Sequence, residues 1–503
     1  MRSYRSVFLM FCASIFLTGC MVGPDFHSPK APDTTRYTQK SLPSKTASTP
    51  GIAQGGRTQY FVNGQDIPAE WWTLFHSPVL NGLVQRGLDN SPNLAAAEAA
   101  LCVSKEAFNA QVGTSLYPQV SLQADAQRNH VSSASISGTN SSSLFNLYNV
   151  NFPVTYTLDV FGGLRRQIEA LRDQVTYQQF QLEAAWLTLT SNIVTTTITI
   201  ASLQEQIQAT QELVKIQTDQ LRIVKGQFAL GGVSQANVLS QQAQLAQTEA
   251  SLPPLQQRLA QSAHALATLV GSVPSDLVTP ILDLDKIHLP TRLPVTVPSL
   301  LVRQRPDIRA SEALLAAASA QIGVATANLY PQFNLSGSYG WTSISTGNFF
   351  SPAHNVWDFG AALMQPVFNG GALQAQKREA IASYQEAAAQ YRQTVLQAFQ
   401  NVADALRAVQ HDAETLRAER NAEMASRRAM LLTSEQFKLG GVNYVALLTA
   451  NQQYRLALIN RIQAQATRYN DTTALFQALG GGWWNQNMTQ QSGPMCCIKV
   501  VAK

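Results

Sequence analysis

Of the 503 residues, 45% are hydrophobic and only 13% are charged, against a charged share of about 25% in soluble domains. The 36 Lys and Arg exceed the 31 Asp and Glu by a net charge of +5, too little for a clustered phosphate-neutralising surface, which disfavours nucleic acid as a partner. The seven histidines are scattered and no HExxH, paired CxxC or P-loop occurs, so enzymology is disfavoured and no cofactor or metal site can be assigned.

In chain order, Arg2 and Arg5 precede an apolar run from Val7 to Leu17. This has the charged and apolar parts of a secretory signal and is too short for a permanent membrane-crossing helix. The run ends in Leu17-Thr18-Gly19-Cys20, which resembles the bacterial lipobox. The expectation is a signal peptide over 1–19 and lipid attachment at Cys20. Met21 rather than Asp follows the cysteine, which points to the outer membrane. Residues 20–77 then read as a lipid-anchored extended segment. Cys102 sits in an Ala-rich helical stretch and is expected in a core, whereas Cys496 and Cys497 fall in a tail over 483–503; nothing resembles a disulfide framework.

Beyond residue 77 the chain repeats itself. The stretch SPNLAAAEAAL around Pro92 returns as RPDIRASEALL around Pro306, and Tyr117-Pro118-Gln119 returns as Tyr330-Pro331-Gln332. Phe161-Gly162-Gly163 returns loosely as Phe368-Asn369-Gly370-Gly371, and Phe228-Ala229-Leu230-Gly231-Gly232-Val233 as Phe437-Lys438-Leu439-Gly440-Gly441-Val442. Four markers in one order at nearly constant offset indicate a tandem duplication. Repeat 1 spans 78–290, with a β-hairpin over about 117–160 and a helical hairpin over about 164–270. Repeat 2 spans 291–482, with the same parts over about 330–368 and 372–479.

In repeat 1, Tyr148, Val150, Phe152, Val154, Tyr156, Leu158 and Val160 alternate with Asn149, Asn151, Pro153, Thr155, Thr157 and Asp159, a period-two strand signal. Val120, Leu122, Ala124 and Ala126 form its weaker partner. Repeat 2 has Phe333, Leu335, Tyr339 and Trp341, then Trp357, Phe359, Ala361, Leu363 and Val367. Ser-, Asn- and Gly-rich loops over 131–143 and 343–354 make two exposed hairpin tips. Such strands reach the nine to eleven tilted residues that span a bilayer, and Tyr117, Tyr148, Tyr330 and Trp341 suit interfacial girdles. Pro153 is expected to mark a bulge or break.

Four strands cannot close a barrel, and lipid tolerates no open sheet edge. Copies of the chain must therefore share one barrel: two would give eight strands and a filled interior, whereas three give twelve and a lumen. The proline-free run from Leu164 to Lys225 would extend roughly 93 Å as helix, and that from Ala372 to Leu439 roughly 100 Å. Antiparallel pairs of such helices suggest a coiled-coil wall. The run Thr195–Ile200 favours strand locally, so helix there depends on tertiary context.

These pieces together resemble the outer membrane factor family, the TolC-like channel-tunnels, and within it the lipoprotein branch serving multidrug efflux systems of RND type (NodT/OprM-like). The resemblance is carried by Cys20-Met21-Val22-Gly23-Pro24-Asp25-Phe26, Trp71-Trp72, Phe75, Pro78, Leu80, Arg305-Pro306-Asp307-Ile308, Leu329-Tyr330-Pro331, Gln365-Pro366-Val367-Phe368 and the paired Gly-Gly turns. It covers about Cys20 to Gly482. The resemblance implies an α+β membrane protein, a homotrimer with a twelve-stranded β-barrel in the outer membrane and a twelve-helix periplasmic tunnel. It also implies a periplasmic adaptor (membrane fusion) protein and an inner-membrane transporter as partners, and transport of drugs and other small toxic compounds.

The Gly231-Gly232 and Gly440-Gly441 turns become the periplasmic tips. The expected gate and adaptor-docking residues are Gly231, Gly232, Val233, Asn237, Gly440, Gly441, Val442, Tyr444 and Thr449. Family members often carry acidic residues just past these turns, whereas here the corresponding positions are Asn237, Ala446 and Thr449; a gate held by contacts such as Val442, Tyr444 and Leu448 follows. Rival readings are the duct of a type I protein secretion system, a lipid-anchored periplasmic scaffold without a pore, and a hydrolase. No Gly-x-Ser-x-Gly elbow organises the Ser, His and Asp residues a hydrolase would need.

Overall fold

The computed structural model describes residues 21–132 and 142–485. Its elements in chain order are β1 (Tyr60–Asn63), α1 (Pro78–Asn90), α2 (Pro92–Leu116), β2 (Gln119–Val120), β3 (Gln123–Ser132), β4 (Ser142–Leu158) and α3 (Gly163–Ala229). There follow α4 (Gln235–Ala250), α5 (Leu252–Leu269), β5 (Arg292–Val295), α6 (Pro298–Gln304), α7 (Pro306–Ala327), β6 (Gln332–Ser343), β7 (Asn355–Met364), α8 (Ala372–Lys438) and α9 (Tyr444–Ala478). The chain divides into two compact units. One holds 21–29, Leu101–Gln178 and Ala310–Arg392, the other Lys30–Ala100, Gln179–Arg309 and 393–485. Each draws on both halves of the sequence repeat.

The first unit is built on an antiparallel sheet in which β2 and β3 pair with β4, β4 with β6 and β6 with β7. Strand β4 continues through Pro153, where the sequence predicts a bulge or break; the interruption falls in the neighbouring strand. Val120 pairs with Val154 and Gln123 with Asn151, so the register runs unbroken past Pro153. The Ser121 N–H donates to the Pro153 carbonyl at 3.2 Å, but proline has no N–H to return. The missing rung separates β2 from β3 at 121–122. Strand β4 ends at Leu158 and β7 at Met364, leaving Val160 and Val367 outside the strands to which alternation assigned them.

At the helix end of this sheet the start of the described chain is clamped. Val22 N–H donates to the Phe161 carbonyl at 3.1 Å. The Arg166 side chain, 2% exposed, donates to Asp25 at 2.6 Å and to Glu169 at 2.7 Å. It also donates to the Val22 carbonyl at 3.3 Å. A Cβ at Gly23 would lie 2.5 Å from the Gly323 Cα, and one at Gly323 would lie 2.7 Å from the Arg166 Cγ, so both close approaches need glycine.

In the second unit the core gathers around fully buried Trp71 and Phe75. Trp71 stacks on Phe476 with centroids 5.5 Å apart, and Phe75 tilts on Tyr469 at 6.4 Å. The Tyr469 hydroxyl lies 2.6 Å from the Ile287 carbonyl, so the ring is buried without an orphaned donor. Helix α3 runs through the β-branched stretch Thr195–Ile200, where Thr197, Ile198 and Ile200 are fully buried. Burial there outweighs a local strand preference of a few tenths of a kcal/mol per residue. The Thr197 hydroxyl donates to the Ile193 carbonyl at 2.6 Å, which satisfies it inside the helix.

The two returning helices differ. Helix α9 is continuous over 35 residues, but its counterpart in the first copy is split into α4 and α5 at Ser251. Pro253 and Pro254 explain the division, since proline is tolerated in a first turn and not in a helix interior. The returning arm of the helical hairpin expected over about 164–270 is thus built of two helices. Cys102 is half-buried in α2, not the core residue expected.

Candidate functional site

Both Gly-Gly turns adopt one geometry. In the first, Gly231 has φ +72°, its N–H donates to the Phe228 carbonyl at 3.0 Å and the Gly232 N–H to the Gln227 carbonyl at 2.8 Å. In the second, Gly440 has φ +75°, with matching bonds to Phe437 at 3.0 Å and to Gln436 at 2.8 Å. These are the paired bonds of a Schellman helix end, in which the left-handed position favours glycine. Nothing lies within 4 Å of a Cβ built at Gly231 or Gly440. The glycines are required by backbone conformation, not by crowding.

Each turn then starts the next helix. The Asn443 side chain accepts from the Ala446 N–H at 2.9 Å, an N-cap bond, whereas Ser234 makes no such bond. Asn237 is half-buried and Thr449 exposed, with the Thr449 hydroxyl donating back to the Val445 carbonyl at 2.9 Å. The caps leave Leu230 89% and Leu439 86% exposed. Equivalent leucines therefore project from both turns.

Behind the turns, Val224, Phe437, Tyr444 and Leu447 form a buried cluster against which Val233, Val238, Val442 and Leu448 pack. Phe437 meets Tyr444 edge-on at 5.7 Å, and the Tyr444 hydroxyl donates to Gln241 Oε1. Burial raises the Tyr444 pKa, so the phenol stays a neutral donor. Gln241, fully buried, donates on to the Gln217 carbonyl at 3.2 Å. Deeper along the same helices, Asn451 donates to Gln220 at 2.9 Å and receives a longer bond at 3.4 Å in return.

The structure thus gathers Val233, Val442, Tyr444 and Leu448 of the expected gate residues into one apolar knot. It places Gly231, Gly232, Gly440 and Gly441 at its outer surface and Thr449 on an exposed helix face. Tyr444 is 4% exposed, so it braces the tip from inside and offers little surface to a neighbour. Sequence reasoning missed Phe437, Gln241 and the Gln220–Asn451 pair. Phe437 was visible as half of the Phe228/Phe437 repeat, but Phe228 is 45% exposed and Phe437 7%. Only the second copy has a tyrosine seven residues on to cover its phenylalanine; the first has Gln235.

The sheet carries the other candidate function. On one face Val150, Phe152, Val154, Tyr156 and Leu158 of β4 align with Trp341, Tyr339, Gly337, Leu335 and Phe333 of β6. The opposite face is polar: Asn149 donates to Asp125 at 3.1 Å, Thr342 to Asn149 at 2.8 Å and Thr157 to Asn334 at 2.8 Å. Both faces are mostly exposed or half-buried, and among the described residues neither edge, β2/β3 or β7, has a further strand partner. Among the described residues no helix is long and apolar enough to cross a membrane, and no group of three or more His, Cys, Asp or Glu is placed to hold a metal ion. Cys20, the signal segment 1–19 and Cys496 and Cys497 lie outside the described residues.

Comparison with known proteins gives a consistent result. A family model described as "Outer membrane efflux protein" matches residues 83–272 and 297–481. The chain is 26% identical over 494 residues to the probable efflux pump outer membrane protein TtgC of Pseudomonas putida, covering 96% of each. It is 27% identical over 445 residues to the pyoverdine export outer membrane protein OpmQ of Pseudomonas aeruginosa, covering 86% of this chain and 92% of that one. Among solved structures, the outer-membrane channel OprN superposes with a TM-score of 0.82 at 28% identity, over 92% of this chain and 100% of that one.

Proposed function

The chain belongs to the outer membrane efflux protein family and is an outer-membrane efflux channel that extends into the periplasm; on that premise we propose that three copies close one twelve-stranded barrel and one helical tunnel. The observation that carries this reading is the two-faced sheet with open edges. From Leu158 to Tyr148, β4 advances ten residues, about 33 Å at 3.3 Å each. Tilted by about 40°, that span has a height of about 25 Å, the apolar band expected of an outer-membrane barrel. The apolar face then meets lipid and the polar face lines the lumen. Edge strands β2/β3 and β7 pair with neighbouring copies, because unpaired backbone groups find no partner in lipid.

The paired turns are the periplasmic tips in this reading. They form the closed gate and receive a periplasmic adaptor, which hands over small molecules from an inner-membrane transporter of RND type. Exposed Leu230 and Leu439 supply the apolar contacts for that docking. Acylation at Cys20 adds a lipid anchor, and the clamp of Arg166 on Val22 and Asp25 seats it at the helix end of the sheet. The test is to record single-channel current from the purified protein in planar bilayers alongside its mass in detergent. A trimer with small, rarely opening conductance supports the reading; a monomer without conductance defeats it.

A further inference from the structure

The apolar face of the sheet carries a hollow at its hairpin-tip end. Ala124 and Ala126 of β3 pair with Val150 and Tyr148 of β4, and small side chains beside large ones leave a hollow there. Phe349 and Phe350 of the loop after β6 border it, making a hollow of about 420 Å³ lined by Ala124, Ala126, Tyr148, Val150, Phe349 and Phe350 together with Asp125, Asn149 and Thr346. Trp341 holds Phe350 edge-on at 5.3 Å. The exposed lining of the hollow is mainly apolar and it opens to the side that faces lipid, which suits an acyl chain.

Strand alternation puts Arg128 and His130 on that same face, opposite Asn146 and Leu144, and both are exposed. Arg128 lies two residues beyond Ala126, about 7 Å along the strand, just past the edge of the apolar band. Among the described residues of the sheet no carboxylate shares this face: Asp125 and Asp358 alternate to the polar side, where Asp125 meets Asn149 and Asp358 meets Ser338. A cation at headgroup depth without an acidic neighbour on its face is complementary to an anion, and guanidinium geometry suits phosphate.

We propose that each copy binds one phosphate-bearing lipid here, with an acyl chain in the hollow beside Phe349 and Phe350, its phosphate on Arg128, and His130 one step further out. This rests on the membrane-spanning reading of the sheet. The test is native mass spectrometry of the full chain purified in detergent, titrated with bisphosphorylated lipid A, the same lipid dephosphorylated, and inorganic phosphate. The expected result is one lipid A retained per chain, weakened about tenfold by Arg128→Gln and lost with Ala126→Trp, which fills the hollow. Dephosphorylated lipid should bind the wild type about as poorly as lipid A binds Arg128→Gln. Equal retention of the two lipids, indifference to Arg128→Gln, or displacement of lipid A by inorganic phosphate would overturn the proposal. The same preparations are inserted into planar bilayers. Absence of any conductance removes the membrane reading itself, whereas normal channels without lipid preference remove only this site.

Discussion

Substituting Gly440 separates the role of its backbone from the role of the surface it presents. The residue sits at φ +75° with open space where a Cβ would stand, so Gly440→Ala adds no clash and its cost is conformational, about 1–2 kcal/mol for a left-handed L-residue. That shifts the ratio of closed to opened turn by about five- to thirtyfold. Gly440→Asn should cost less, because asparagine tolerates this region, and Gly440→Val more, because a β-branched side chain does not. Hydrogen exchange of the Gly440 and Gly441 amides, which bond at 3.0 and 2.8 Å, should accelerate in the order Asn, Ala, Val. Efflux, read as drug susceptibility of a complemented strain, should fall in the same order while the trimer persists. If Gly440→Val left both exchange and efflux unchanged, the turn would be neither a conformational constraint nor a docking element. If Gly440→Asn kept slow exchange but lost efflux, docking would be the dominant role.

Tyr444→Phe removes the donor to fully buried Gln241 and should cost about 1–3 kcal/mol, seen as a higher single-channel open probability; an unchanged gate would show that this bond persists on opening. The tip positions Asn237, Ala446 and Thr449 carry no carboxylate, so submillimolar divalent cations should leave the current intact, and strong block would contradict the reading. Arg166→Met removes the clamp on Val22, Asp25 and Glu169, but Asp25 is 77% and Glu169 33% exposed. No buried charge is stranded, so the loss should be moderate and appear as faster proteolysis of the amino-terminal segment with the channel retained. Burial, followed by the neighbouring Asp471 carboxyl, pushes Asp412 from 3.8 up to about 8, with Arg468 opposing. The folded chain therefore holds a proton that the unfolded chain releases near pH 4, and its stability should fall as pH rises from about 4 to about 8. Asp412→Asn should flatten that slope of melting temperature against pH.

Much of this organisation is legible in the amino-acid order because it rests on periodicity and on residues with special backbones. Alternation from Tyr148 to Leu158 marks β4, and the absence of proline marks α3 and α8. The Phe-x-Leu-Gly-Gly-Val repeats mark two turns whose glycines adopt the left-handed conformation. These signals are local, so the sequence by itself determines them. Other features required three-dimensional neighbours. Pro153 marks an interruption in the sequence, but whether it breaks its own strand or divides the next depends on the register β4 keeps with both sides. Thr195–Ile200 is helical because Ile198 and Ile200 are buried, which no propensity scale records. Tyr444 became an internal brace because Phe437 and Gln241, far apart in sequence, meet it at the tip. Two nearly identical turns thus acquire different interiors, since packing depends on every side chain that converges, not on the repeat that created the turns.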